Sequence, residues 1–122
     1  FISVSKLIKE NQKETIIDFT NNEKIIIRLP IETYEKYKDF DETTGEILHS
    51  SLVMPALTEA INYIKQEEYS EKDWYLKIND MIKIRKLEKE SAIDIACILL
   101  KDPINRGMIY LSDKLHQIKK RK

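Results

Sequence analysis

The sequence predicts an α+β protein, mainly α, in which an N-terminal β-hairpin, extended to three strands if "FISV" joins it, packs on a bundle of about four helices. Three observations predict it. Two β-branched runs flank "TNNE" near the N-terminus, apolar residues recur at helical spacing from Leu52 to Ile118, and only two glycines and three prolines interrupt 122 residues. With 42% hydrophobic and 34% charged residues the composition is that of a folded globular chain, long enough to bury one core. We therefore expect a single domain over 1–122, divided into 1–48 (hairpin, short helix and turn) and 49–122 (helical bundle).

In "TIIDFTNNEKIIIRL", residues 15–29, asparagines stand between two runs that favour strands, and asparagine tolerates the left-handed backbone of tight hairpins. Pro30 closes the second strand. Ile31, Tyr34 and Tyr37 then recur at steps of three, the spacing of a short helix that ends in a turn at Gly45. In "SLVMPALTEAINYIKQEE" Val53, Leu57, Ile61 and Ile64 line one helical face, and Pro55 is tolerable if Ser50 or Ser51 is the cap, because first-turn N–H groups have no partner inside the helix. Ser70 with Asp73 three later reads as a capping box for a helix burying Trp74, Ile78, Met81 and Ile82. Ser91 opens "SAIDIACILLK", apolar around most of its circumference and so expected at the centre of the bundle. Asp102 as cap with Pro103 at the first helical position starts the last helix. Along that helix Ile104, Met108, Leu111, Leu115 and Ile118 form a heptad stripe of about two repeats, too short for a free coiled coil.

The formal net charge is zero, so no global field steers the chain toward nucleic acid, an acidic substrate or an anionic membrane. The charges are unevenly placed: residues 1–61 hold 7 basic and 11 acidic groups, residues 62–122 hold 14 and 10. No apolar run reaches the roughly 18 residues a membrane span needs. A lone cysteine, Cys97, within an apolar run fits a reduced thiol and a cytoplasmic setting. The chain opens on "FISVSKL" without methionine and closes on "HQIKKRK", which reads as the C-terminal domain of a longer protein.

The acidic stretch "DFDETTGEILHSS", residues 39–51, meets the first three ligand positions of a calcium loop with Asp39, Asp41 and Thr43. Thr44 then occupies the glycine position and Ser50 the bidentate glutamate position, so the stretch reads as a solvated turn. His49 beside Ser50 and Ser51 suggests a base and nucleophile, but adjacent residues rarely meet that way on regular structure, and capping explains the serines better. His116 reads as a surface residue. One cysteine and two distant histidines give no zinc spacing, and Gly45 and Gly107 alone make no phosphate loop. These readings predict no cofactor, no metal site and no catalysis.

What remains is a non-catalytic protein-interaction or assembly domain of a larger cytoplasmic protein. Its positive support is a surplus of apolar helical surface, with Ile104, Gly107, Met108, Leu111, Leu115 and Ile118 as the expected interface. The partner would be a second copy in a homodimer or the rest of the same chain, not a membrane. The alternative is an accessory nucleic-acid role for two basic clusters, Lys83, Arg85 and Lys86, and Lys119, Lys120, Arg121 and Lys122.

Overall fold

The computed structural model describes residues 1–7, 14–40 and 42–120, the side chains at 42, 43, 104 and 118–120 excepted. It is α+β and mainly helical, in the order β1 (Ile2–Lys6), β2 (Ile16–Asp18), β3 (Ile25–Leu29), α1 (Ile31–Lys38), α2 (Glu42–Lys65), α3 (Asp73–Ile84), α4 (Ala92–Leu99) and α5 (Pro103–Lys120). The "FISV" segment does form a third strand, running parallel to β3, with Val4 opposite Ile27. β2 pairs antiparallel on the other edge, with Ile17 opposite Ile27, so β3 is central. Alternation along β3 turns Ile25, Ile27 and Leu29 inward and leaves Ile26 and Arg28 on the outer face. On that face Arg28 Nη2 meets Asp18 Oδ2 at 3.0 Å.

The hairpin connection is longer than a tight turn and works by a different chemistry from the one expected. Neither Asn21 nor Asn22 adopts a positive φ. Instead the Asn21 Oδ1 accepts hydrogen bonds from the N–H groups of Glu23 (3.0 Å) and Lys24 (3.1 Å), while Asp18 Oδ1 accepts from the Thr20 N–H and hydroxyl. The loop also sets the start of α3. Asn22 O accepts from the Asp73 N–H at 2.8 Å and Phe19 O from the Trp74 indole at 3.2 Å, so loop carbonyls serve N–H groups at the start of this helix. This corrects the expected Ser70 capping box: α3 begins at Asp73, and its N-cap, Lys72, makes no side-chain cap bond. Tyr69, held at φ 62°, packs edge-on to Tyr63 (5.0 Å between centroids) and near Trp74 (5.9 Å), and Phe19 closes the aromatic group.

The principal correction concerns the expected turn over residues 39–51: Asp39 and Phe40 do turn, Asp41 lies outside the described residues, and from Glu42 onward the stretch is helical. α1 ends at Lys38, and α2 starts at Glu42 and runs unbroken through Gly45 and Pro55, across the expected division at 48/49. A glycine and a proline inside a helix cost about 1 and about 3 kcal/mol relative to alanine. Burial of Val53, Met54, Ala56, Leu57, Ala60, Ile61 and Ile64 offsets that cost. Pro55 and Ser51 are exposed, so the break in the helical hydrogen-bond ladder between them lies on the solvent side of α2.

The second correction is the centre of the bundle. It is α2, not α4: α4 buries Ala92, Ile95 and Ala96 but leaves Ile93 and Ile98 exposed. One contiguous core joins β3, the C-terminal half of α2, α3 and α4, with Trp74, Ile61 and Ile78 fully enclosed. Two expected helix starts are present. Ser91 Oγ accepts from the Asp94 N–H, and Asp102 Oδ1 from the Asn105 N–H at 3.3 Å, with Pro103 following.

The outer-face ion pair yields a pH test. Hydrogen bonds from Thr20, assisted by Arg28, hold the Asp18 carboxyl below its ordinary value. A depressed carboxylate contributes stability above its unfolded pKa and loses it as pH falls through the folded value. Asp18→Asn is expected to lower stability by about 0.5–1 kcal/mol at pH 7, with the gap from the unmodified chain closing below about pH 4. Urea unfolding at pH 7, 5 and 3 checks it; a gap independent of pH would contradict it.

Candidate protein-interaction surface

The two halves of α2 meet different surroundings. From Val53 onward its apolar face is enclosed, whereas between Thr44 and Leu52 no side chain is fully buried. Among the described residues α1 and Leu29 of β3 approach this N-terminal half on one side and α5 on the other. Between α2 and α5 lies an open, apolar depression of about 290 Å³, lined by Ile47, Leu48, Ser51, Pro103, Met108 and Leu111, with Thr44, Gly107 and Tyr110. A second depression of about 290 Å³ opens on the other side of Leu48, toward Leu29, Tyr37, Phe40 and Leu52. Leu48 is the wall they share.

Three contacts seat α5 on α2. Arg106 Nη2 donates to Ser50 Oγ (3.2 Å) and to Leu100 O (2.9 Å), and its Nε donates to Lys101 O (2.9 Å), so one guanidinium satisfies carbonyls at the end of α4 while gripping α2. Gly107 lets the helices close, since a Cβ there would stand 3.4 Å from Ile47 Cγ2. The Tyr110 and Thr44 hydroxyls share a hydrogen bond. On the α1 side Tyr37 Oη and His49 Nδ1 lie 2.7 Å apart, and burial keeps the Tyr37 phenol protonated by raising its pKa.

The heptad stripe therefore splits. Gly107 faces its own α2, but Met108, Leu111 and Leu115 are 66%, 57% and 60% exposed. Every residue from Leu111 to Gln117 is exposed. The side chains of Ile104 and Ile118 lie outside the described residues. Exposed apolar side chains elsewhere, such as Leu76 and Ile84 on α3, have charged Lys77, Asp80 and Lys83 between them and line neither depression.

The remaining candidates are engaged in structure. His49 binds Tyr37, and Ser50 accepts from Arg106, so no base and nucleophile pair forms among them. Cys97 is half-buried, and its thiol donates to Asp102 Oδ1 at 3.5 Å; burial and the Asp102 carboxylate push its pKa up, which disfavours the thiolate. His116 is exposed on α5. Lys83, Arg85 and Lys86 are exposed at the C-terminal end of α3, where cations also complement the helix dipole. The Lys119 and Lys120 side chains, and all of Arg121 and Lys122, lie outside the described residues. Helical backbone from Glu42 leaves Thr44 and Ser50 unable to wrap around an ion held at Asp39, and Asp41 lies outside the described residues. Among the described residues no three His, Cys, Asp or Glu side chains converge as metal ligands, and no helix is long and apolar enough to cross a membrane.

No known protein family, characterised protein or solved structure matches the chain.

Two measurements test this geometry. Gly107→Ala is expected to raise stability by about 0.5–1 kcal/mol through helix propensity, since its Cβ only reaches contact distance. Gly107→Leu is expected to lower it by about 1–3 kcal/mol by driving into Ile47. Equal effects of the two in thermal melts would contradict the close approach. Millimolar calcium is expected to shift the melting temperature by less than about 1 °C, as linkage requires for a site with little affinity; a shift of several degrees would restore the calcium-loop reading.

Proposed function

We propose that this chain is a non-catalytic protein-interaction domain, working within a larger cytoplasmic protein, that docks its partner on the distal half of α5 and the groove between α5 and α2. The observation that carries this reading is the exposure of Met108, Leu111 and Leu115 along one stripe, beside an apolar groove that α5 itself leaves unfilled. Scattered exposed leucines need no explanation, but a contiguous apolar patch of this kind marks an interaction site. The alternative, nucleic-acid contact through Lys83, Arg85 and Lys86, has exposed cations in its favour, with Glu88 and Glu90 exposed close behind them.

The interaction reading predicts that Leu111→Glu leaves the fold intact, because the side chain is already 57% exposed, and changes the melting temperature by less than about 3 °C. A photo-crosslinking residue at 111 should form covalent adducts with protein in cells, where one at exposed Lys77 does not, and Leu115→Glu should abolish them. Unfolding of Leu111→Glu, or equal crosslinking from 77 and 111, would contradict the reading. Salt-sensitive binding of duplex DNA that Lys83→Ala and Arg85→Ala abolish would favour the alternative.

A further inference from the structure

The enclosed core ends where α4 ends. Leu99 and Leu100 pack against it, and no described side chain of α5 joins it. Among the described side chains of α5 only Pro103 is buried, and every residue from Leu111 to Gln117 is exposed. Between the last core contact and the first turn of α5 stand Lys101 and Asp102, two successive residues at φ 59° and 53°. Left-handed backbone is disfavoured for residues with a side chain, roughly tenfold in population at each position, and it persists only where its surroundings hold it.

A small set of bonds meets at this junction. The Asp102 N–H donates to Cys97 O (2.8 Å), and Asp102 Oδ1 accepts from the Asn105 N–H (3.3 Å) and the Cys97 thiol (3.5 Å). Arg106 donates to the Lys101 and Leu100 carbonyls (2.9 Å each), and the same guanidinium reaches across to Ser50 Oγ on α2 (3.2 Å). Arg106 thus bonds the end of α4, the junction and α2 at once. The rest of the seam between α2 and α5 holds the hydrogen bond of Tyr110 with Thr44 and the approach of Gly107 to Ile47. Parting the helices along residues 44–50 breaks these contacts and leaves the packing of β3, α3 and α4 on residues 53–64 in place.

We propose that α5 is a strap that opens as a unit about Lys101 and Asp102 while the core stays folded, with Arg106 as the latch that holds it shut. Opening frees two left-handed residues at once, which works against closure, so the closed state depends on the few contacts along residues 44–50. Pro103 fixes the position of the pivot. The residue before a proline avoids helical backbone, so α4 and α5 do not merge into one rod when the junction relaxes. The depression between α2 and α5 has walls on both helices and exists only while the strap is closed, so the hinge sets whether that surface is formed. The opening is a property of the chain alone, with or without a partner.

Native-state amide exchange of the full chain, followed by NMR in low urea, tests the strap. Amides 107–117 are expected to share one opening constant, about 100-fold or more above that of the slowest amides in 53–64. Their urea dependence should be less than about half as steep, because little surface is exposed. Ile61→Val loosens packing that stays intact when the strap opens, so it should speed the core amides several-fold and leave 107–117 unchanged. Arg106→Ala removes contacts that are missing from both the open and the unfolded chain, so it should speed both segments by a similar factor of about ten. Equal acceleration of both segments by Ile61→Val would overturn the proposal, since α5 would then open only as the whole chain unfolds. Protection that falls steadily from 107 to 117 would replace the hinge with a fraying end, and Arg106→Ala without effect on 107–117 would remove the latch.

Discussion

One helix of 24 residues has to satisfy two environments, and the rest of the fold follows from how it does so. The C-terminal half of α2 is enclosed by β3, α3 and α4, which bury Ala56, Leu57, Ala60 and Ile61 to 1% exposure or less. Full removal of such apolar surface from water is the dominant favourable term in folding, so this half anchors the molecule. The N-terminal half meets α1, the end of β3 and α5 and keeps Ile47, Leu48 and Leu52 in partial contact with solvent.

Among the described residues, the elements around the anchor are fastened through backbone carbonyls more than through ion pairs. Carbonyls of Phe19 and Asn22 in the hairpin loop accept from the start of α3, and the Lys65 ammonium reaches the carbonyls of Glu88 and Glu90 beyond its end. Arg106 does the same for the end of α4. The Asn22 and Arg106 bonds satisfy helix ends that would otherwise lack partners, and the Phe19 and Lys65 bonds tie loops to the core helices. They also explain why backbone as strained as Tyr69, Lys101 and Asp102, each at positive φ, is tolerated: packing and side-chain bonds on both sides fix it.

Local chemistry was legible wherever a helix or strand depended on its own residues. Two β-branched runs gave β2 and β3, Ser91 capped α4, and Asp102 with Pro103 started α5. It was illegible where a distant contact decided. Gly45 and Pro55 argue for a turn and a helix start by propensity, and only the burial that follows Pro55 outweighs them. The start of α3 escaped because its cap is a carbonyl 51 residues earlier, in a loop no local rule connects to it. The apolar circumference of α4 suggested the bundle centre, yet Ile93 and Ile98 are at the surface. The heptad stripe was visible as a spacing, while the groove beside it depends on the unforeseen first turns of α2.

The functional account rests on the same asymmetry, an enclosed half of α2 that holds the fold and an open half that, with the end of α5, is the surface proposed for a partner. Amide hydrogen exchange separates these regions directly, because it reports local opening segment by segment. Residues 53–64 should show high protection. Residues 111–120 and 42–52 should exchange much faster, since that part of the helix pair leaves its apolar face open. Protection of 111–120 that equals that of 53–64 would contradict the account, since α5 would then be held by its own chain as firmly as the core is.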